Sequence, residues 1–254
     1  MPDRPALPDP DAYLRLWSQT HGGYDPHTAR SARTWLGIVY RCTVPLARRR
    51  IAPSAVTVAG LLIAAALLGP AALGGRWLLL AGVLVVGNGL LDGMDGALAL
   101  LTGRATRWGY VVDSAADRIS DALIVVALWL AGGAAGVCIG AGAVAALQEY
   151  VRARAGNAGF REIGVATVAE RPTRIILGAL GLFAAGVLPS RAGSIATVAA
   201  AALVGLGVVG CGQLVNVVRR ALRTQAAPMS SATIRADSVT SGSPPPGCAE
   251  PPTR

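Results

Sequence analysis

The chain has no lysine; all 23 of its basic residues are arginine. Charge of either sign is scarce, at 15% of 254 residues, against 53% hydrophobic residues and a mean hydropathy of +0.50. This excludes an ordinary soluble domain and predicts a polytopic membrane protein. Cysteines are few and isolated: Cys42, Cys138, Cys211 and Cys248 show no metal or redox spacing. They read as reduced packing residues or, for the last, a tail thiol. No short apolar core precedes a cleavage site near the N-terminus, so no signal peptide is expected. Neither a repeat of roughly 20–50 residues nor the inverted repeat of many transporters is evident. A net charge of +9 could suit nucleic acid. The arginines, however, sit at the ends of apolar segments, where they set topology and touch anionic lipid, so no nucleic-acid partner is expected.

What is present is a series of six apolar segments, at 55–72, 77–100, 109–131, 134–151, 173–189 and 193–218. Each is near the ~20 residues that span the hydrocarbon. The expected fold is all-α, with six transmembrane helices and an N-terminal interfacial amphipathic helix. Residues 1–30 read as a polar tail, poorly ordered or a loose cap. Residues 31–50 read as the amphipathic juxtamembrane helix, on the spacing of Trp35, Ile38, Val39, Cys42 and Leu46, broken near Pro45. The membrane domain spans 51–223, with a long loop at 152–172, and a Ser/Thr/Pro-rich disordered tail covers 224–254. One set of loops holds nearly all the arginines; the opposite loops hold only Arg76 and Arg191. The positive-inside rule then predicts a multi-pass protein of the cell membrane with both termini cytoplasmic.

One stretch breaks the apolar pattern. Residues 92–121 read DGMDGALALLTGRATRWGYVVDSAADRISD and hold five of the 14 acidic residues. A carboxylate at bilayer depth costs roughly 2.5–3.5 kcal/mol on insertion scales, so such a cluster must hold something positive. Asp92 and Asp95 are i, i+3; Asp113 and Asp117 are i, i+4; each pair shares one helix face. Two such helices side by side present four carboxylates to a common centre. All-oxygen ligation suits Mg²⁺, Mn²⁺ or Ca²⁺, and the absence of His and Cys argues against zinc. Gly93, Gly96, Ala97, Ala99 and Gly109 leave nearly bare backbone for a flat group, or for a neighbouring helix.

The run Asp92-x2-Asp95-Gly96-x2-Ala99, then Gly109-x3-Asp113-x3-Asp117, resembles the signature of the CDP-alcohol phosphatidyltransferases, D-x2-D-G-x2-A-R-x8-G-x3-D-x3-D. Seven of the eight fixed positions match. The exception is Leu100, where the family has Arg. Pro53-Ser54-Ala55-Val56-Thr57 is similar to the family's P-x-x-V-T opening of the first membrane helix. Tyr150–Arg154 and Glu170-Arg171-Pro172 resemble segments of the actinobacterial phosphatidylinositol phosphate synthases. The resemblance covers about residues 31–220.

It implies transfer of a phosphatidyl group from CDP-diacylglycerol to a polar alcohol, with release of CMP, in phospholipid synthesis. Asp92, Asp95, Asp113 and Asp117 would hold two Mg²⁺ or Mn²⁺ ions, and Asp117 would also take the proton of the attacking hydroxyl. Ser54, Ala55, Val56, Thr57, Gly96, Ala99, Thr106 and Gly109 would meet the donor. Alone, Thr106 would read as a helix cap. Arg118, Arg152, Arg154, Arg171 and Arg174 suit a phosphorylated acceptor, inositol phosphate or glycerol phosphate, because guanidinium forks phosphate oxygens; topology alone would explain some of them. Asp121 reads as a partner of Arg118 or another arginine, and Glu149 as a partner of Arg152. Membrane lipid is a further partner, and a homodimer is implied. In related enzymes the arginine at the position of Leu100 contacts the nucleotide-lipid, so an impaired member acting as a binding or assembly protein stays open. So does an ion-coupled transporter using intramembrane aspartates.

Overall fold

The computed structural model describes residues 7–20, 23–28, 30–160 and 167–225. Among them the chain is all-helical and contains no strand. The helices are α1 (Pro10–Thr20), α2 (Arg30–Arg48), α3 (Pro53–Ala66), α4 (Leu68–Leu73), α5 (Trp77–Thr102), α6 (Arg107–Leu130), α7 (Ala135–Asn157), α8 (Arg171–Val187) and α9 (Ala192–Gln225).

Local chemistry sets these boundaries. Asp9 caps α1 by accepting from the Ala12 N–H at 2.7 Å. Pro53 opens α3, where its missing N–H costs nothing. Pro70 cannot donate to the Ala66 carbonyl, and α3 ends at that residue. Gly103, at φ +64°, closes α5 in the left-handed region, and the Arg104 N–H returns to the Ala99 carbonyl at 3.0 Å. Thr106 then caps α6, its hydroxyl accepting from the Gly109 N–H at 2.9 Å.

Three helical stretches are long and apolar enough to cross a membrane: Pro53–Leu73, Trp77–Thr102 and Pro189–Arg223. By the same measure α8 is short, at 17 residues, and α6 carries Asp113, Asp117, Arg118 and Asp121 along its length. Leu62, Ile139, Val198 and Val208 lie exposed on the outside of the bundle, as lipid-facing side chains do. The main core runs from Ala64 of α3 through Leu78, Leu128 and Leu182 to Ala196 and Ala200 of α9. A second apolar cluster joins α1 and α2 to the end of α5 through Tyr13, Val39, Met94 and Leu98.

Small residues set how closely α8 approaches its neighbours. A Cβ on Gly178 would lie 2.5 Å from Ile124 of α6; one on Gly181 would lie 2.6 Å from Ala199 of α9. One on Gly186 would meet the Leu79 backbone nitrogen of α5 at 2.7 Å. These contacts press the N-terminus of α8, with Arg171 and Arg174, against the aspartate-bearing halves of α5 and α6.

Several expectations need correction. Residues 10–20 of the supposed tail form α1, and Tyr13 is only 1% exposed, its ring 5.5 Å from that of Tyr40. The Tyr40 hydroxyl donates to the Pro8 carbonyl at 2.9 Å, which secures the segment before α1. Helix α2 passes through Pro45 unbroken. Proline removes one hydrogen bond there, while Val39, Thr43 and Ala47 stay buried on one continuous face. Helix α7 runs to Asn157, so Arg152 and Arg154 sit on a helix rather than in a loop. Arg161 and the tail from residue 226 lie outside the described residues.

Candidate active site

Asp92 and Asp95 lie on α5, and Asp113 and Asp117 on α6, as their spacing requires. The packing of α5, α6 and α3 brings them to one pocket, lined also by Thr57, Gly60, Asn88, Ser120 and Arg171. Ligand oxygens of Asp92, Asp95 and Asp113 lie within 4.8 Å of one another. Asp117 lines the same pocket but is engaged differently: its carboxylate oxygen lies 2.7 Å from Arg171 Nη1.

The arrangement fits a hard cation. Asp113 Oδ1 is buried and has no hydrogen-bond donor among the described residues. An acceptor left so is costly unless a cation or water meets it. Asp95, by contrast, is already oriented. Its Oδ2 accepts from the Thr57 hydroxyl at 2.7 Å and its Oδ1 from the Gly96 N–H at 2.6 Å. Carboxylates outnumber guanidinium groups in the cluster by seven to four: Asp92, Asp95, Asp113, Asp117, Asp121, Glu149 and Glu170 against Arg118, Arg152, Arg171 and Arg174.

Beyond the aspartates the arginines form a chain of ion pairs. Arg171 pairs with Asp92, Asp117 and Asp121. Arg174, only 7% exposed, bridges Asp121 at 3.3 Å and Glu149 at 3.0 Å. Arg118 meets Asp121 at 3.4 Å and Glu149 at 3.1 Å, and Arg152 meets Glu149 at 3.6 Å and Glu170 at 2.6 Å. The readings of Asp121 and Glu149 as arginine partners match these distances. Glu170 ends the chain. Burial would push its carboxyl up, but donors from the Thr167 backbone and Arg152 hold it below the usual glutamate range. Arg154 is exposed on α7 and is in no ion pair among the described residues.

The residues assigned to the donor divide. Thr57 lines the pocket and holds Asp95, while Val56 is buried in the apolar cluster of α1 and α2, and Ser54 and Ala55 are exposed. Gly96 is exposed, with nothing within 4 Å of an added Cβ, so its backbone is open to a ligand. Ala99 is half-buried beside it. A Cβ on Gly93 would meet Val39 Cγ2 at 3.1 Å, so that glycine serves the packing of α2. Thr106 and Gly109 are seen in the cap that starts α6, and an added Cβ on Gly109 would meet the Thr106 hydroxyl at 3.0 Å. Leu100 is half-buried against the α1–α2 cluster, and Arg104 turns to the Arg50 carbonyl at 3.4 Å.

Sequence reasoning missed Asn88 and Ser120. Asn88 is 2% exposed and donates to the Gly60 carbonyl at 3.0 Å and to Ser120 Oγ at 3.4 Å, tying α5 to α3 and α6 beneath the aspartates. A lone asparagine in an apolar run, one turn before Asp92, was the available signal. Gln148 and Thr167 were also missed. They bond to each other at 2.8 Å and dock the segment before α8 onto α7.

Comparison with known proteins points to the same family as the motif. The family model described as CDP-alcohol phosphatidyltransferase matches residues 50–209. The chain is 35% identical over 147 residues to archaetidylinositol phosphate synthase of Methanothermobacter thermautotrophicus, covering 56% of this chain and 74% of that protein. It is 36% identical over 152 residues to phosphatidylinositol phosphate synthase of Mycobacterium marinum, covering 54% of this chain and 62% of that one. It is 33% identical over 165 residues to the Cutibacterium acnes protein of the same name, covering 61% and 79%. The crystal structure of Mycobacterium tuberculosis phosphatidylinositol phosphate synthase with CDP-DAG bound superposes with a TM-score of 0.60 at 26% identity, over 71% of this chain and 93% of that one. Motif, match and fold agree: the chain belongs to the CDP-alcohol phosphatidyltransferase family.

Proposed function

We propose that this protein is a multi-pass membrane enzyme that transfers the phosphatidyl group of CDP-diacylglycerol to inositol phosphate and releases CMP. The observation that carries the reading is the convergence of Asp92, Asp95 and Asp113, with the buried Asp113 Oδ1 lacking a donor, beside a chain of arginines. Relatives named for inositol phosphate products, and a neighbour with CDP-DAG bound, support the choice of substrates.

Asp92, Asp95 and Asp113 would hold Mg²⁺ or Mn²⁺, with Asp117 on the same pocket able to contribute to a second ion. When bound, the metal neutralises the pyrophosphate and stabilises the departing phosphate. Thr57 and the Gly96 N–H keep both oxygens of Asp95 aimed. The open backbone at Gly96 admits the cytidine diphosphate. Arg118, Arg152 and Arg174 face the acceptor phosphate as fork donors. The acceptor hydroxyl oxygen attacks the lipid-bearing phosphorus, the bond from that phosphorus to the CMP oxygen breaks, and the hydroxyl proton passes to Asp117. Much of the rate then comes from positioning. Six spans support this arrangement if α6, α7 and α8 cross with their charges paired inside the bundle. Arginine placement supports cytoplasmic termini, and resemblance alone supports a homodimer.

Purified protein with Mg²⁺ or Mn²⁺ is expected to release CMP from CDP-diacylglycerol with inositol phosphate, faster than with glycerol phosphate or free inositol. Equal rates with all three would reject the acceptor. No release with any alcohol would reject the enzyme. Asp113→Ala is expected to abolish release.

A further inference from the structure

Among the described residues, Arg171 is the arginine that pairs with carboxylates of both α5 and α6: Asp92 on one, Asp117 and Asp121 on the other. Its side chain is 12% exposed, so the charge stands inside the site rather than at its rim. One nitrogen, Nη1, serves both Asp92 and Asp117, so the two carboxylates share a single point of contact. Arg171 therefore acts on them as a charge, not as a fork. A guanidinium used so can be replaced by another cation, whereas a fork that matches its partner in shape cannot. Asp92 is also one of the three convergent carboxylates whose third member has an unmet oxygen.

We propose that Arg171 is a tethered counter-cation: it bridges Asp92 and Asp117 and competes with a divalent ion for Asp92. The proposal rests on the reading of Asp92, Asp95 and Asp113 as metal ligands. Two carboxylates on different helices repel when a low-dielectric site forces them together, and a cation between them removes the repulsion. Arg171 supplies that cation until a divalent ion arrives. It then leaves Asp92, still anchored at the start of α8, where an anionic phosphate can take it up. Arg171 is thus a positioning residue for the metal site.

Two measurements on the full chain in detergent test this. The first is Mn²⁺ affinity, from the electron paramagnetic resonance signal of free Mn²⁺. Arg171→Gln is expected to bind Mn²⁺ roughly ten- to a hundredfold more tightly than wild type, the worth of a lost charged contact. Its melting midpoint should fall without metal and recover with saturating Mn²⁺. The second uses wild type alone, so it stands even where the variant fails to fold. Phenylglyoxal modification of Arg171, followed by peptide mass spectrometry, should rise several-fold on addition of Mn²⁺. Unchanged or weaker Mn²⁺ binding by folded Arg171→Gln would overturn the competition. So would an Arg171 reactivity indifferent to Mn²⁺ in wild type that binds it. No Mn²⁺ binding by wild type would overturn the metal reading itself, and this proposal with it.

Discussion

Single side chains in this site do work that their identity does not announce. Thr57, read as a donor contact, lines the aspartate pocket and also aims Asp95 through a 2.7 Å hydrogen bond. A hydrogen bond to a charged group contributes about 1.5–3 kcal/mol. Thr57→Val is therefore expected to raise the Mg²⁺ concentration for half-maximal CMP release by roughly tenfold or more, with the circular dichroism spectrum unchanged. An unchanged Mg²⁺ requirement would show that Asp95 is held by other means. Leu100 packs half-buried against the α1–α2 cluster where the family signature has arginine. Leu100→Arg is expected to leave donor KM equal or lower, since it restores a cation near the nucleotide. It should also lower stability by about 1–2 kcal/mol, since apolar contact is lost. Calorimetry and donor titration together separate the two effects.

At the scale of elements, α8 and the segment before it deliver the arginines. Gly178 allows α8 to lie against Ile124, and an added Cβ would already stand 2.5 Å from that side chain. Gly178→Leu is expected to destabilise by about 1–3 kcal/mol, as overpacking does, and to cut transfer sharply by shifting Arg171 and Arg174. Retained activity at full stability would show that α8 has freedom to move. Glu170 binds this segment to α7 through Arg152 and Thr167. Its carboxyl is held low in the folded protein, so its contribution is present above the unfolded glutamate value of about 4.3 and is lost as pH falls through the lower folded value. Wild type should be more stable than Glu170→Gln at pH 7, and the gap should close below about pH 4.3. A gap that persists in acid would assign the difference to shape rather than charge.

The whole molecule places its polar cluster at one end of an apolar bundle. The N-termini of α3, α6 and α8 and the C-termini of α5, α7 and α9 gather there with most of the arginines. Arg76 and Arg191 mark the other end. Single cysteines at positions 76 and 191, in a background without native cysteine, are expected to react with an impermeant maleimide from outside intact cells. Labelling only after the cytoplasmic face is exposed would invert the topology and move the site to the outer face.

The helical class, the aspartate pairs and the Arg-rich end were legible in the sequence because each is local. Spacing of three or four residues places two carboxylates on one helix face whatever surrounds the helix, and a run of apolar residues needs no partner to be recognised. The ordered α1, the unbroken α2 and the true places of Thr57 and Leu100 were not legible. Each depends on which helix lies alongside, and close packing of glycine-bearing faces decides that. The pairing of Arg171 with Asp92 is the clearest case. The two residues are far apart in the chain, and nothing in either segment names the other. Only the seating of α8 against α5 and α6 brings them together, in a pocket where carboxylates outnumber arginines.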